Sequence, residues 1–173
     1  MKRNTLLYTG IAILFVAIGI YFGAKRLEPV APKDTVVAHL FTQSMANAQG
    51  QPESLSQWKG KHLVINFWAT WCAPCVQEMP ELSAFQTEVA NKNIQILGIG
   101  IDSPANIAEF SSKYKISYPL YSAGMSGAKL TKQFGNQAGG LPFTVLVGSD
   151  GQIRKTYLGR IKLEELRKDL LTF

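Results

Sequence analysis

The two cysteines of the chain lie in Trp71-Cys72-Ala73-Pro74-Cys75, directly after the apolar run Leu63-Val64-Ile65-Asn66-Phe67-Trp68. A strand running into a helix here would put one sulfur at the helix start and the other one turn inside. Unpaired backbone N–H groups and the positive end of the helix dipole favour thiolate over thiol at that first position. A thiolate attacks disulfides, and a second sulfur within reach resolves the mixed disulfide that results. Cys72 is therefore the expected nucleophile and Cys75 the resolving thiol of a dithiol/disulfide redox centre. The alternatives are half of a zinc site or a purely structural pair. Zinc wants four ligands, and His39 and His62 lie upstream without ligand-like spacing. Neither Ala73 nor Pro74 brings a charge or an ionisable donor to the reduced thiolate, so the centre should lean toward acting as a reductant. Both residues also simply start a helix well.

The helix expected after Cys72 carries an apolar stripe of Met79, Leu82, Phe85 and Val89 with Cys75 near its middle. Glu78 falls inside that arc, whereas Glu81 and Glu88 fall outside it. A carboxyl on a buried face has a raised pKa, and three residues on it neighbours the resolving sulfur. That suits a general acid or base for Cys75. The plainer account is an early-turn acid placed to favour the helix dipole.

The surrounding elements alternate. Residues 36–42 read as a leading strand and 53–58 as a short helical turn. Residues 62–69 and 94–101 have the composition of buried strands, and 73–91 reads as a helix interrupted at Pro80. Asp102-Ser103-Pro104 is a helix start with a cap and a proline at the first position. Ile107, Phe110 and Tyr114 then follow helical spacing. Residues 118–121 are short and extended, and 127–134 form a short helix. Residues 143–148 and 152–158, joined around Asp150-Gly151, carry the clearest hairpin signal. Residues 162–171 close as a helix with Leu163, Leu166 and Leu170 on one face. The pattern predicts an α/β fold, a mixed central sheet flanked by helices.

Two motifs carry a resemblance: Asn66-Phe67-Trp68-Ala69-Thr70-Trp71-Cys72-Ala73-Pro74-Cys75 and Gly140-Leu141-Pro142-Phe143-Thr144. They are similar to the active-site strand–helix junction and the cis-proline loop of the thioredoxin fold. The stretch between Cys75 and Pro142 is longer than in plain thioredoxins. With the leading strand and an N-terminal anchor, residues 35–173 resemble the membrane-tethered TlpA/ResA-like thioredoxins of bacteria. The resemblance implies a cis Pro142 beside the sulfurs, with the main chain of Leu141 pairing an extended substrate segment as an added strand. It also implies that Trp71 and Trp68 wall the site, although core packing accounts equally well for Trp68. A glutamate matching Glu78 is given an acid–base role in ResA-like proteins. Asn66 is a departure, because plain thioredoxins carry a buried aspartate there. Glu78 is then the one nearby acid behind the cysteines, and the plain reading of Asn66 is that it satisfies backbone hydrogen bonds in the sheet.

Residues 4–24 hold no charge and are mostly apolar, enough helix to cross the ~30 Å hydrocarbon core. A cleaved signal peptide is the alternative, but a cut after Ala24 would put Phe22 at a position that wants a small residue. The expected organisation is an anchor over 1–24, a proline-bearing tether over 25–35 and one domain over 36–173. A dithiol on a tethered domain belongs outside the cytoplasm, where disulfides persist. The formal net charge is +6, from 18 basic and 12 acidic residues. Lys2, Arg3, Lys25 and Arg26 flank the apolar span, which leaves the rest of the chain near +2. With no basic cluster interleaved with aromatics, nucleic acid is not an expected partner.

These features predict an extracytoplasmic thiol–disulfide oxidoreductase without cofactor or metal. Its partners would be disulfide-bearing proteins and a membrane thiol–disulfide electron donor. By family habit, cytochrome c maturation is the leading setting and thiols awaiting copper the second. A thiol oxidase remains an alternative direction. Two rivals come from other classes. One is a copper module using the cysteine pair with Met79 or a histidine. The other is a peroxidase, for which Thr70-Trp71-Cys72 lacks the required loop.

Overall fold

The computed structural model describes Tyr8, residues 13–21 and residues 33–171. The chain divides into two units, Met1–Val30 and Ala31–Phe173. In the first unit Tyr8 and residues 13–21 are helical. No helix among the described residues is long and apolar enough to cross a membrane. Much of the span expected over 4–24, and the tether up to residue 32, lie outside the described residues.

The second unit is built on one sheet of seven strands. In chain order these are β1 (Ser44–Asn47), β2 (Pro52–Ser54), β3 (His62–Trp68), β4 (Ile94–Gly100), β5 (Leu120–Ser122), β6 (Phe143–Val147) and β7 (Ile153–Leu158). Across the sheet they run β2-β1-β5-β4-β3-β6-β7. The central strands β3, β4 and β5 are parallel and the outer pairings antiparallel, which makes the sheet mixed as expected. β3 sits between β4 and β6 and is buried along nearly its whole length, the setting that a continuous apolar run requires.

Five α-helices cover the sheet: α1 (Lys33–Leu40), α2 (Ala73–Val89), α3 (Pro104–Tyr114), α4 (Gly127–Gln133) and α5 (Leu163–Leu170). Alternation along β3 sends Val64 and Trp68 to one core, shared with Cys75, Met79, Leu82 and Phe85 of α2, Ile107 of α3 and Leu166 of α5. It sends Leu63, Ile65 and Phe67 to a second core with Val37 and Leu40 of α1 and Leu130 of α4. Ser103 caps α3 by accepting from Asn106 N, and Pro104 takes an early helical position, as the sequence predicts.

Three expectations need correction. The leading strand over 36–42 is instead α1 and its exit. Val36, Val37 and Leu40 are buried while Ala38 and His39 are exposed, a helical rather than alternating pattern, and packing overrides the β preference of the valines. The last residues of the expected tether also belong to α1. The α2 helix is not interrupted at Pro80: the buried stripe runs through it from Cys75 to Val89. Pro80 is exposed, so the carbonyl deprived of its helical partner lies on the solvent side. Finally, the stretch 53–58 splits into β2 and a 3-10 turn over Leu55–Trp58.

Candidate active site

The backbone at the end of β3 turns sharply before α2. Cys72 N donates to Ala69 O at 3.2 Å, and Cys72 O accepts the first helical bond from Val76 N at 3.0 Å. Cys72 is thus the N-cap of α2, with Pro74 in the first turn, and its side chain makes no capping bond. Its sulfur is joined to that of Cys75 at 2.05 Å, with Cα atoms 5.3 Å apart. Cys72 keeps 6% of its surface and Cys75 none, so an incoming group meets Cys72 first.

The turn before Cys72 is tied down from the neighbouring loop. Thr70 Oγ1 donates to Asp102, whose other oxygen accepts from Ser103 N at 2.8 Å and Asn106 Nδ2 at 2.6 Å. Burial pushes the Asp102 carboxyl up, but the hydrogen bonds from Thr70, Asn106 and Ser103 outweigh it and leave the group below its ordinary range. A cleft of about 350 Å³ opens beside this turn, lined by Thr70, Val76, Asn106, Glu109 and Lys113 among others.

Glu78 lies on the buried face of α2, 1% exposed. Oε1 accepts from Asn66 Nδ2 and Oε2 from Ile161 N, each at 2.7 Å. Burial pushes the carboxyl up to about 7, although the Ile161 N–H, the Asn66 amide and the Arg160 charge pull the other way. Glu81 and Glu88 stand outside, paired with Arg160 and Arg167. Asn66 therefore does more than serve the sheet backbone: its amide nitrogen also donates to Thr144 Oγ1 at 3.0 Å, bridging β6 to the acid. Ile161 and Thr144 are contributions that sequence reasoning missed. They sit 83 residues beyond Glu78 and 78 beyond Asn66, and no local signal points to them.

The Leu141–Pro142 peptide bond is cis. Asn136, another residue not anticipated, is 3% exposed and holds the approach to this bond. Its Nδ2 donates to Gly140 O at 2.8 Å and its Oδ1 accepts from Gly139 N at 3.0 Å, where Gly139 adopts φ +69°. Among the described residues, the backbone N–H and carbonyl of Leu141 have no main-chain partner. Trp71 is 71% exposed next to Cys72, while Trp68 is fully buried with its ring 4.7 Å from that of Phe110. Trp68 is thus a core residue rather than an open wall. Among the described residues no three His, Cys, Asp or Glu side chains gather as a metal site, and Met79, considered as a soft copper donor, is fully buried.

A linked sulfur pair at the mouth of a helix, on this sheet, is the equipment of a thioredoxin-fold thiol–disulfide oxidoreductase. Residues 31–170 match the Redoxin family model, and the chain belongs to that family. Among curated relatives it is similar to the thiol–disulfide oxidoreductase ResA of Bacillus thuringiensis, 28% identical over 176 residues covering 96% of this chain and 95% of that protein. ResA of Geobacillus thermodenitrificans is 25% identical over 150 residues, 79% of this chain and 84% of the relative. The fold is shared with a thiol:disulfide interchange protein of the thioredoxin family from Chlorobium tepidum. Its TM-score is 0.65 at 23% identity, covering 75% of this chain and 90% of that one. The expectation of a TlpA/ResA-like thiol–disulfide oxidoreductase is borne out.

Proposed function

We propose that the protein is a membrane-tethered, extracytoplasmic disulfide reductase, with Cys72 as nucleophile, Cys75 as resolving thiol and Glu78 as the base for Cys75. The observation that carries this reading is the buried Glu78 carboxyl one turn beyond the sulfurs, held between Asn66 and Ile161 and pushed up to about 7. An acid poised near neutrality can take up and return a proton at working pH.

In the reduced form the Cys72 thiolate attacks one sulfur of a substrate disulfide and expels the other as a thiolate. Glu78 then removes the Cys75 proton, and the Cys75 thiolate attacks Cys72 Sγ. The second substrate sulfur leaves as a thiolate, and the Cys72–Cys75 bond carries away the two-electron oxidation. Leu141 and Pro142 would receive an extended substrate segment, consistent with the open main chain of Leu141, and exposed Trp71 would flank it. Outside the cytoplasm a membrane electron donor would restore the dithiol, and an anchor over 1–24 would raise the effective concentration of the two partners. Cytochrome c haem-site cysteines are the substrate we favour, through likeness to ResA.

The roles separate experimentally. Cys72→Ser should abolish thiol exchange, and Cys75→Ser should accumulate substrate proteins linked to Cys72 on non-reducing gels. Absence of any adduct with Cys75→Ser would overturn the assignment.

A further inference from the structure

Glu78 is held in part by residues that arrive from the loop after β7. Gly159 leaves that strand at φ +90°, a left-handed turn that glycine makes without strain. The loop is then pinned at three points. Gly159 N donates to Pro142 O at 2.8 Å, Ile161 N donates to Glu78 Oε2 at 2.7 Å, and the Arg160 guanidinium between them pairs with Glu81. Ile161 is 4% exposed and packs in the core that holds Cys75 and Met79. Glu81 lies three residues beyond Glu78 on α2, so the pairing sets the guanidinium against the same stretch of helix, about one turn from the buried carboxyl. The other oxygen of Glu78 is held by Asn66, which also bonds Thr144, two residues beyond Pro142. The strand that carries the cis bond thus reaches both carboxyl oxygens, through Thr144 and Asn66 on one side and through Gly159 and Ile161 on the other.

We propose that Arg160 is a positioning residue for the resolving step: fastened to Glu81, it holds the Ile161 N–H on Glu78 and keeps a positive charge beside that carboxyl. The proposal rests on Glu78 serving as the base for Cys75. Arg160 acts through Glu78 and takes no proton itself. The Cys75 S–H bond breaks toward the Glu78 carboxylate, leaving a thiolate and a neutral acid, and Arg160 governs how much of Glu78 stands ready to accept. Burial, the largest influence, drives Glu78 toward the neutral acid. The Ile161 N–H, the Asn66 amide and then the Arg160 charge favour the carboxylate, against a smaller push from Glu81. Without Arg160 the carboxyl should therefore keep its proton to higher pH. The sheet side presents neutral Asn66 and Thr144, and α2 itself adds the two cysteines. From the segment before β5 comes the Tyr118 phenol, which burial first and the Glu78 charge second keep protonated. Lys162 and Glu164 line the surface cleft shared by Arg160 and Glu81. The Arg160–Glu81 pair is itself half exposed, where an ion pair adds little to stability, so its loss should leave the fold standing.

The test uses the full chain, reduced and mixed with equimolar dithiobisnitrobenzoate over a range of pH. The first thionitrobenzoate released reports attack by Cys72, and the second reports resolution by Cys75. Wild type is compared with Glu78→Gln, Arg160→Gln, Arg160→Lys and the double variant Glu78→Gln/Arg160→Gln. In wild type the second release should speed up through about pH 7, and Glu78→Gln should move that rise toward the ordinary thiol value of about 8.5. Arg160→Gln should move it up by about one unit, the low end for an opposite charge, which slows release roughly tenfold on the acid side. Arg160→Lys should restore most of the wild-type profile, and Arg160→Gln should add nothing in the Glu78→Gln background. A wild-type profile for Arg160→Gln, beside a shifted Glu78→Gln, would overturn the role of Arg160 and leave Glu78 as base. Equal slowing by Arg160→Gln in both backgrounds would show that Arg160 only braces the loop, and an Arg160→Lys profile no better than Arg160→Gln would show that its charge is idle; either result overturns the proposal. A wild-type profile for Glu78→Gln would remove the base and its positioning residue together.

Discussion

Glu78 is held ionisable inside the core at a cost that depends on pH. Its folded pKa of about 7 stands above the value of 4.5 for an unburied carboxyl, so the folded chain binds this proton more tightly than the unfolded one. The stability this confers is complete below about pH 4.5 and is lost as pH rises through about 7, an amount near 3 kcal/mol. Denaturant unfolding of the oxidised protein at pH 5 and pH 8 should show that loss in wild type and little of it in Glu78→Gln. The substitution fits the site, because a flipped Asn66 amide turns its oxygen toward the new Nε2 while Ile161 N keeps its acceptor. A variant that loses stability with pH as wild type does would contradict the buried, proton-binding carboxyl. The burial of Glu78 was legible from the helical arc alone, since Cys75, Met79 and Leu82 define the inward face. Its partners were not legible, because Asn66 and Ile161 reach it from a strand and a loop far away in sequence.

Among the elements, the junction of β3 and α2 is fixed by the loop that follows β4. Asp102 accepts from Thr70, Ser103 and Asn106, so one carboxylate joins the helix cap of α3 to the turn before Cys72. Asp102→Ala should loosen that turn, lowering the rate of disulfide exchange while the far-ultraviolet spectrum stays unchanged; an unaltered rate would show that the tie is dispensable. Gly98 of β4 works by omission. A methyl there would meet Leu120 Cδ2 at 2.4 Å, and Gly98→Ala should cost about 1–3 kcal/mol in denaturant unfolding, with wild-type stability contradicting the close packing. The α3 start was plain in Asp102-Ser103-Pro104 because capping is local chemistry. The β6–β7 hairpin was plain because Gly151 takes φ +80° in its turn. The α1 helix was misread because two valines outweighed a helical spacing that only its packing partners reveal, and β1 was missed because its inward residues include the polar Asn47.

At the scale of the whole molecule, four of the six net positive charges flank the apolar segment and the rest of the chain stays near +2, a distribution that fits the anchor we propose over 1–24. The intact chain should therefore stay with membranes through high-salt washing and leave only in detergent; release by salt alone would contradict the proposed anchor. The central claim concerns the sulfur at the mouth of α2, whose N-cap position sets it beside unpaired helix N–H groups and the positive end of the dipole, which favour the thiolate once the disulfide is reduced. The most direct measurement is the pH dependence of Cys72 alkylation in the reduced protein. We expect reactivity to rise at least one unit below the ordinary thiol value of about 8.5. A Cys72 that titrates at that ordinary value would contradict the account.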